Sequence, residues 1–136
     1  MAESLQHKEY VSRIVSFIET IPDCCSDLIE ADLLGFNTRT TKVGRYFPDV
    51  YYRDFNSLII GEAKTDNDIE NEHTAKQIES YIDEANQFNG TKRIIFSTSF
   101  YSSASLYNVV ARIIRNQNIS DISFFIIDPI NGAYKI

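Results

Sequence analysis

The sequence predicts an α/β fold in which a mixed central sheet is flanked by helices. Two observations carry that expectation. After position 50, short apolar runs of strand length (Leu58–Ala63, Arg93–Thr98 and Ser123–Ile127) alternate with amphipathic stretches of helix length (Thr74–Phe88 and Ser103–Gln117), an order that implies right-handed crossovers. Before the first of those helices, Val50-Tyr51-Tyr52 and Leu58–Ala63 flank a polar turn of Asp54, Asn56 and Ser57, which reads as a hairpin.

Taken in order, Leu5 to Thr20 is the first helix. Tyr10, Ile14, Phe17, Ile18 and Ile21 recur three and four residues apart, charged residues fill the gaps, and Pro22 ends the pattern. Leu28, Ile29, Leu33 and Leu34 suggest a short second helix stopped by Gly35, with Glu30 and Asp32 on its polar side. Asn37–Val43 is rich in Thr and Val and is expected as an early strand running into a turn at Gly44. After the hairpin, the acidic run Asp66, Asp68, Glu70, Glu72 lacks the glycine and spacing of a calcium loop and reads as a solvated segment. Ile78, Tyr81, Ile82 and Ala85 form one face of the Thr74–Phe88 helix, which Asn89-Gly90 closes. Ile94-Ile95-Phe96 is an uninterrupted apolar run, as expected of a strand buried on both faces. Ser103–Gln117 carries Leu106, Val109, Val110, Ile113 and Ile114, and Ser123–Ile127 is expected as the last strand, stopped by Asp128-Pro129.

At 136 residues and 43% hydrophobic content, the chain is expected to form one domain over 1–136. A formal net charge of -6 argues against a protein that coats nucleic acid over a broad surface. It leaves local contact open, because a bound metal and a few placed cations reverse the local potential. Cys24 and Cys25 are adjacent, without the spacing of a zinc site, so a reduced, cytoplasmic protein is expected. No apolar run approaches the roughly 18 residues of a membrane span and no basic-then-apolar leader is present, so no membrane association is expected.

The chemistry concentrates between Arg45 and Thr65. Glu62 and Lys64 are two apart near the end of an apolar strand, so their side chains leave from one face, and hairpin pairing brings Asp49 to it. Two carboxylates and an ammonium at the end of an apolar strand are costly unless something charged binds there. A hard divalent cation, Mg²⁺ or Mn²⁺, fits: it takes one or two carboxylates, here Asp49 and Glu62, and the Ala63 carbonyl adds a third protein oxygen. Such an ion acidifies water and offsets charge on a phosphoryl oxygen, while Lys64 orients the water or stabilises the transition state. That division of labour fits phosphodiester hydrolysis without a covalent intermediate.

Pro48-Asp49, a short hairpin and then Glu62-Ala63-Lys64 resemble the motif of the PD-(D/E)xK nuclease superfamily. The resemblance implies a restriction-endonuclease-like αβββαβ core, here with an additional C-terminal helix and strand, and metal-dependent hydrolysis of DNA. Gln77 and Tyr81, four apart on the following helix, are similar to the QxxxY element of several branches. There the Gln points toward the active site and the Tyr supports it or contacts the phosphate backbone. Many members also carry a first-helix glutamate near the metal; Glu9 is the first choice for it here, with Glu19 and Glu30 open.

Lys42 and Arg45 flank Gly44 shortly before Asp49, where a backbone phosphate can approach. His73, before the second long helix, suits a cap or surface role, and His7 carries less weight still. DNA is the expected partner, with a homodimer or a larger nuclease complex addressing two strands. The other reading is a nuclease fold retained as a weakly active or silent binding module.

Overall fold

The computed structural model describes residues 4–69 and 72–136. Glu70 and Asn71, part of the expected solvated acidic segment, lie outside the described residues. The elements are α1 (Leu5–Glu19), β1 (Glu30–Ala31), β2 (Val50–Arg53), β3 (Ser57–Ala63), α2 (Glu72–Asn86), β4 (Thr91–Ser97), α3 (Phe100–Asn116), β5 (Ser123–Asp128) and β6 (Gly132–Lys135). All six strands form one sheet in chain order. β1, β2 and β3 pair antiparallel, β3, β4 and β5 pair parallel, and β6 returns antiparallel to β5. The fold is therefore mixed α/β, with a central mixed sheet flanked by helices.

Helices cover both faces because the strands alternate their apolar side chains between them. On one face Tyr10, Val11, Ile14 and Ile18 of α1 pack on Val50, Tyr52, Ile59, Ile95 and Ile127. On the other, Ile78, Tyr81 and Ile82 of α2 and Leu106, Val109 and Val110 of α3 pack on Tyr51, Leu58, Ile60, Ile94, Phe96 and Phe124. Each such side chain contributes about 1.5–3 kcal/mol by leaving water. β3, central in this sandwich, is buried along its whole length. α1 presses directly on it: a Cβ at Gly61 would meet Ile14 Cγ2 at 2.8 Å and Val50 Cβ at 3.2 Å. A side chain there would push the helix off the strand one residue before Glu62.

Three expectations are corrected. Leu28–Leu34 is not a helix; a single tight turn at Ser26–Leu28 leads into β1. Ile29 and Ala31 are buried while Leu28 and Leu34 are exposed, so a period of two governs that segment. Asn37–Val43 is not a strand but makes only isolated bridges, Asn37 with Glu30 and Val43 with Tyr46. Its threonines bind elsewhere: Thr40 Oγ1 donates to the Pro48 carbonyl (2.7 Å), and Thr41 donates its N–H (2.7 Å) and hydroxyl (2.8 Å) to Glu30 Oε1. β5 is not the last strand, because Asp128 caps the N–H groups of Ile130 and Asn131 and turns the chain back as β6. Among the described residues no helix is long and apolar enough to cross a membrane.

Candidate functional site

The start of β2 and the ends of β3 and β4 lie at the same edge of the sheet, as their antiparallel and parallel pairings require. Val50 pairs with Gly61. One further step in that register sets Asp49 across from Glu62, and a second sets Pro48 across from Ala63. Pro48 has no N–H to offer the Ala63 carbonyl, and its own carbonyl accepts from Thr40. The ladder therefore opens here, and the Ala63 N–H donates to Asp49 Oδ2 at 2.9 Å instead.

Glu62 is only 7% exposed and points to the α2 face, where its carboxyl accepts from the Tyr81 hydroxyl. Burial, then the negative charge of Asp49, push the Glu62 carboxyl well above the usual carboxylate range. Asp49 moves the other way. Burial would raise it, but donation from His7, contact with Glu62 and the Ala63 N–H together hold it below its ordinary value. The two carboxyls act as one pair, with Glu62 held above and Asp49 below the ordinary carboxylate value.

Lys64 is buried, and its ammonium donates to Gln77 Oε1. Its backbone is fixed to β4 by N–H donation to Ser97 (2.9 Å) and by the Thr98 hydroxyl on its carbonyl (2.8 Å). Gln77 also reaches the Tyr81 hydroxyl, one helical turn along the same face of α2. Burial and the neighbouring Glu62 keep that phenol protonated, far above its ordinary value. Asp49, Glu62, Tyr81, Gln77 and Lys64 thus form one continuous chain of contacts.

His7, of little expected weight, and Tyr46, with no expected role, support the site. His7, on the first turn of α1, places Nε2 3.3 Å from Asp49 Oδ1. Tyr46 stands edge-on to both His73 (ring centroids 5.4 Å apart) and Tyr81 (6.5 Å). It is carried by a tight turn in which Val43 and Tyr46 exchange backbone hydrogen bonds of 2.8 and 2.9 Å. Gly44 at the corner of that turn has φ +61°, and a Cβ there would stand 3.1 Å from Ser80 Oγ of α2. The signals were an aromatic directly ahead of Phe47-Pro48-Asp49 and a histidine on the expected first helix.

Other expected site residues stand apart. Glu9 is exposed and pairs with Arg13 one turn along α1. The helix rotation that buries Tyr10 and Ile14 turns Glu9, the expected α1 ligand, outward. Glu30 is engaged by Thr41, and Glu19 is exposed at the end of α1. Lys42 is exposed with Nζ 5.7 Å from the centre of the Phe47 ring, and Arg45 is exposed beside Tyr46 and Lys76. Among the described residues, no group of three or more His, Cys, Asp or Glu is arranged to hold a metal ion. The oxygen donors that converge are the Asp49 and Glu62 carboxylates, with the Ala63 carbonyl at the open end of the ladder. No protein-family model, curated protein or solved structure matches this chain.

Proposed function

We propose that this chain is a metal-dependent nuclease that hydrolyses DNA phosphodiester bonds by attack of water, built on a restriction-endonuclease-like αβββαβ core with a C-terminal extension. The observation that carries this reading is the Asp49–Glu62 carboxyl pair, pressed together in a nearly dry setting beside the buried Lys64. Such repulsion is expensive in the protein alone and is relieved by a cation. The element order, a helix, three antiparallel strands, a helix and a parallel strand, supports the same reading.

The donor set suits Mg²⁺ or Mn²⁺, which accept two carboxylates and a carbonyl and keep the remaining positions for water. Asp49, Glu62 and the Ala63 carbonyl would hold the ion, which supplies positive charge to a phosphoryl oxygen and lowers the pKa of water. Tyr81 fixes the Glu62 carboxylate. Gln77 fixes the Lys64 ammonium, which orients the attacking water and stabilises negative charge in the transition state. Lys42 and Arg45 position the phosphate backbone without reading sequence. With one such site per chain, cutting both strands of a duplex takes a second copy or a larger complex.

A silent binding module is the second reading. It is favoured by the closure of the network upon itself, since Tyr81 already serves Glu62 and Gln77 already serves Lys64. Titration calorimetry with Mg²⁺ and Mn²⁺ separates the two. The nuclease reading expects binding by the natural chain and its loss in Asp49→Ala. It further expects Mn²⁺-dependent nicking of supercoiled DNA that Lys64→Ala abolishes while retaining the metal. Absence of metal binding in the natural chain would remove it.

A further inference from the structure

Exposed aromatic side chains stand on both sides of the carboxylate pair. Phe47, two residues before Asp49, is 62% exposed, with the Lys42 ammonium over its ring. Beyond β4, Phe100 and Tyr101 open α3 with ring centroids 6.0 Å apart, and Tyr101 is 89% exposed. β2 and β4 are neighbours of β3 on opposite sides, so the two aromatic groups bracket the Glu62 strand at the sheet edge that carries the site. β2 and β4 themselves lie two strand spacings apart, about 10 Å.

Both mounts are firm. Phe47 follows the hydrogen-bonded Val43–Tyr46 turn, whose corner lies against α2. The first turn of α3 is braced by Asp66, which accepts from the hydroxyls of Ser99 (2.6 Å) and Ser102, and Ser99 in turn caps the Ser102 N–H at 3.1 Å. Thr98, two residues before Phe100, holds the Lys64 carbonyl. The aromatic pair is therefore tied to the strand end that carries Lys64.

Charge narrows the occupant. A chain of net charge -6, with Lys42 and Arg45 as the cations beside Phe47, gains little from counterion release along a duplex. Aromatic faces attract unstacked bases of any sequence without that term. Duplex bases are already stacked and offer no free face. We infer that Phe47 on one side and Tyr101, backed by Phe100, on the other are stacking platforms that make single-stranded DNA the preferred substrate of this site. This rests on the nuclease reading for the bond that is cut, while the platforms bind by their own chemistry.

The test is fluorescence anisotropy with a labelled mixed-sequence 20-nucleotide strand and the same strand annealed to its complement, in EDTA to prevent cleavage. The single strand is expected to bind at least about tenfold more tightly than the duplex. Phe47→Ala and Tyr101→Ala are each expected to weaken it roughly 5- to 100-fold, and Tyr101→Phe to retain it. With two phosphate contacts, the slope of log K against log salt is expected near about -1.4. Both side chains are exposed, so neither truncation empties the core. Equal affinity for the two DNAs, or alanine variants within twofold of the natural chain, would overturn the inference. A face covered by a protein partner instead would give the same two results. Cleavage assays in Mn²⁺ judge the other reading separately: aromatic-dependent single-strand binding without cleavage sinks the nuclease and keeps the platforms. Cleavage without single-strand preference does the reverse.

Discussion

Tyr46 meets Tyr81 edge to face, with ring centroids 6.5 Å apart and planes at 85°, and so joins the turn ahead of β2 to the phenol that holds Glu62. Such a pair contributes about 0.5–1.5 kcal/mol beyond its buried area. Tyr46→Leu is expected to lose about 1 kcal/mol in urea unfolding. Tyr81→Phe keeps the ring contact but takes the donor from a buried carboxyl, and is expected to lose about 1–3 kcal/mol. If Tyr81→Phe unfolds at the same urea concentration as the natural chain, the phenol is not supporting Glu62.

Glu62 is expected to be destabilising in the metal-free protein. Burial and the adjacent Asp49 charge both oppose its ionised form. Glu62→Gln keeps the shape, still accepts from Tyr81 and adds a donor for Asp49. It is expected to raise metal-free stability at pH 7 by about 1–3 kcal/mol and to abolish divalent-cation binding by calorimetry. A stability gain bought by loss of binding is the exchange expected where a site is held under strain. A less stable Glu62→Gln protein would mean that the pair is not under repulsion.

Much of this arrangement was legible because it depends on short sequence separations. Positions 62 and 64 share a strand face and positions 77 and 81 share a helix face whatever the tertiary context, and the contacts Glu62–Tyr81 and Lys64–Gln77 follow once α2 packs on β3. That His7, and not Glu9, faces Asp49 was not legible in that way. At 3.6 residues per turn, two positions differ by about 200° around a helix, and only docking of Tyr10, Ile14 and Ile18 on the sheet fixes which side faces Asp49. Tyr46 was hidden for a similar reason, since its role comes from the packing of Gly44 on Ser80. β1 and β6 were missed because they are short, and their positions depend on turn chemistry and long-range pairing more than on an apolar run.

The two α1 residues therefore give opposite expectations. His7→Ala removes a donor from Asp49 and is expected to weaken Mn²⁺ binding about 10- to 100-fold, the usual effect of losing a partner that orients a ligand. Glu9→Ala breaks only an exposed pair with Arg13, one helical turn away. It is expected to change stability by less than about 0.5 kcal/mol and metal binding not at all. Calorimetry on the two variants side by side decides whether His7 or Glu9 is the α1 residue coupled to the site; the reversed pattern would restore Glu9.

Asp128 controls the return of β6 and gives a pH dependence of known sign. Its fully buried carboxylate accepts from the N–H groups of Ile130 (2.9 Å) and Asn131 (2.7 Å) and from the Asn131 amide (3.0 Å). Burial works to raise its pKa, but the Asn131 backbone and amide, the Ile130 N–H and the Ser103 hydroxyl outweigh that and hold it below the usual value. A depressed carboxylate contributes stability that is present above its unfolded pKa, near about 3.9, and lost as pH falls through the lower folded value. Asp128→Asn forfeits the charged acceptor at every pH. It is expected to be about 1.5–3 kcal/mol less stable than the natural chain at pH 7, and the gap is expected to narrow steadily below about pH 4. The other depressed carboxylates, Asp49, Asp54, Asp66 and Asp121, lose their contributions equally in both proteins. The difference between two urea titrations, at pH 7 and pH 3, therefore isolates Asp128. A gap that stays constant between them would show that the turn is held by shape and not by the charge of its cap.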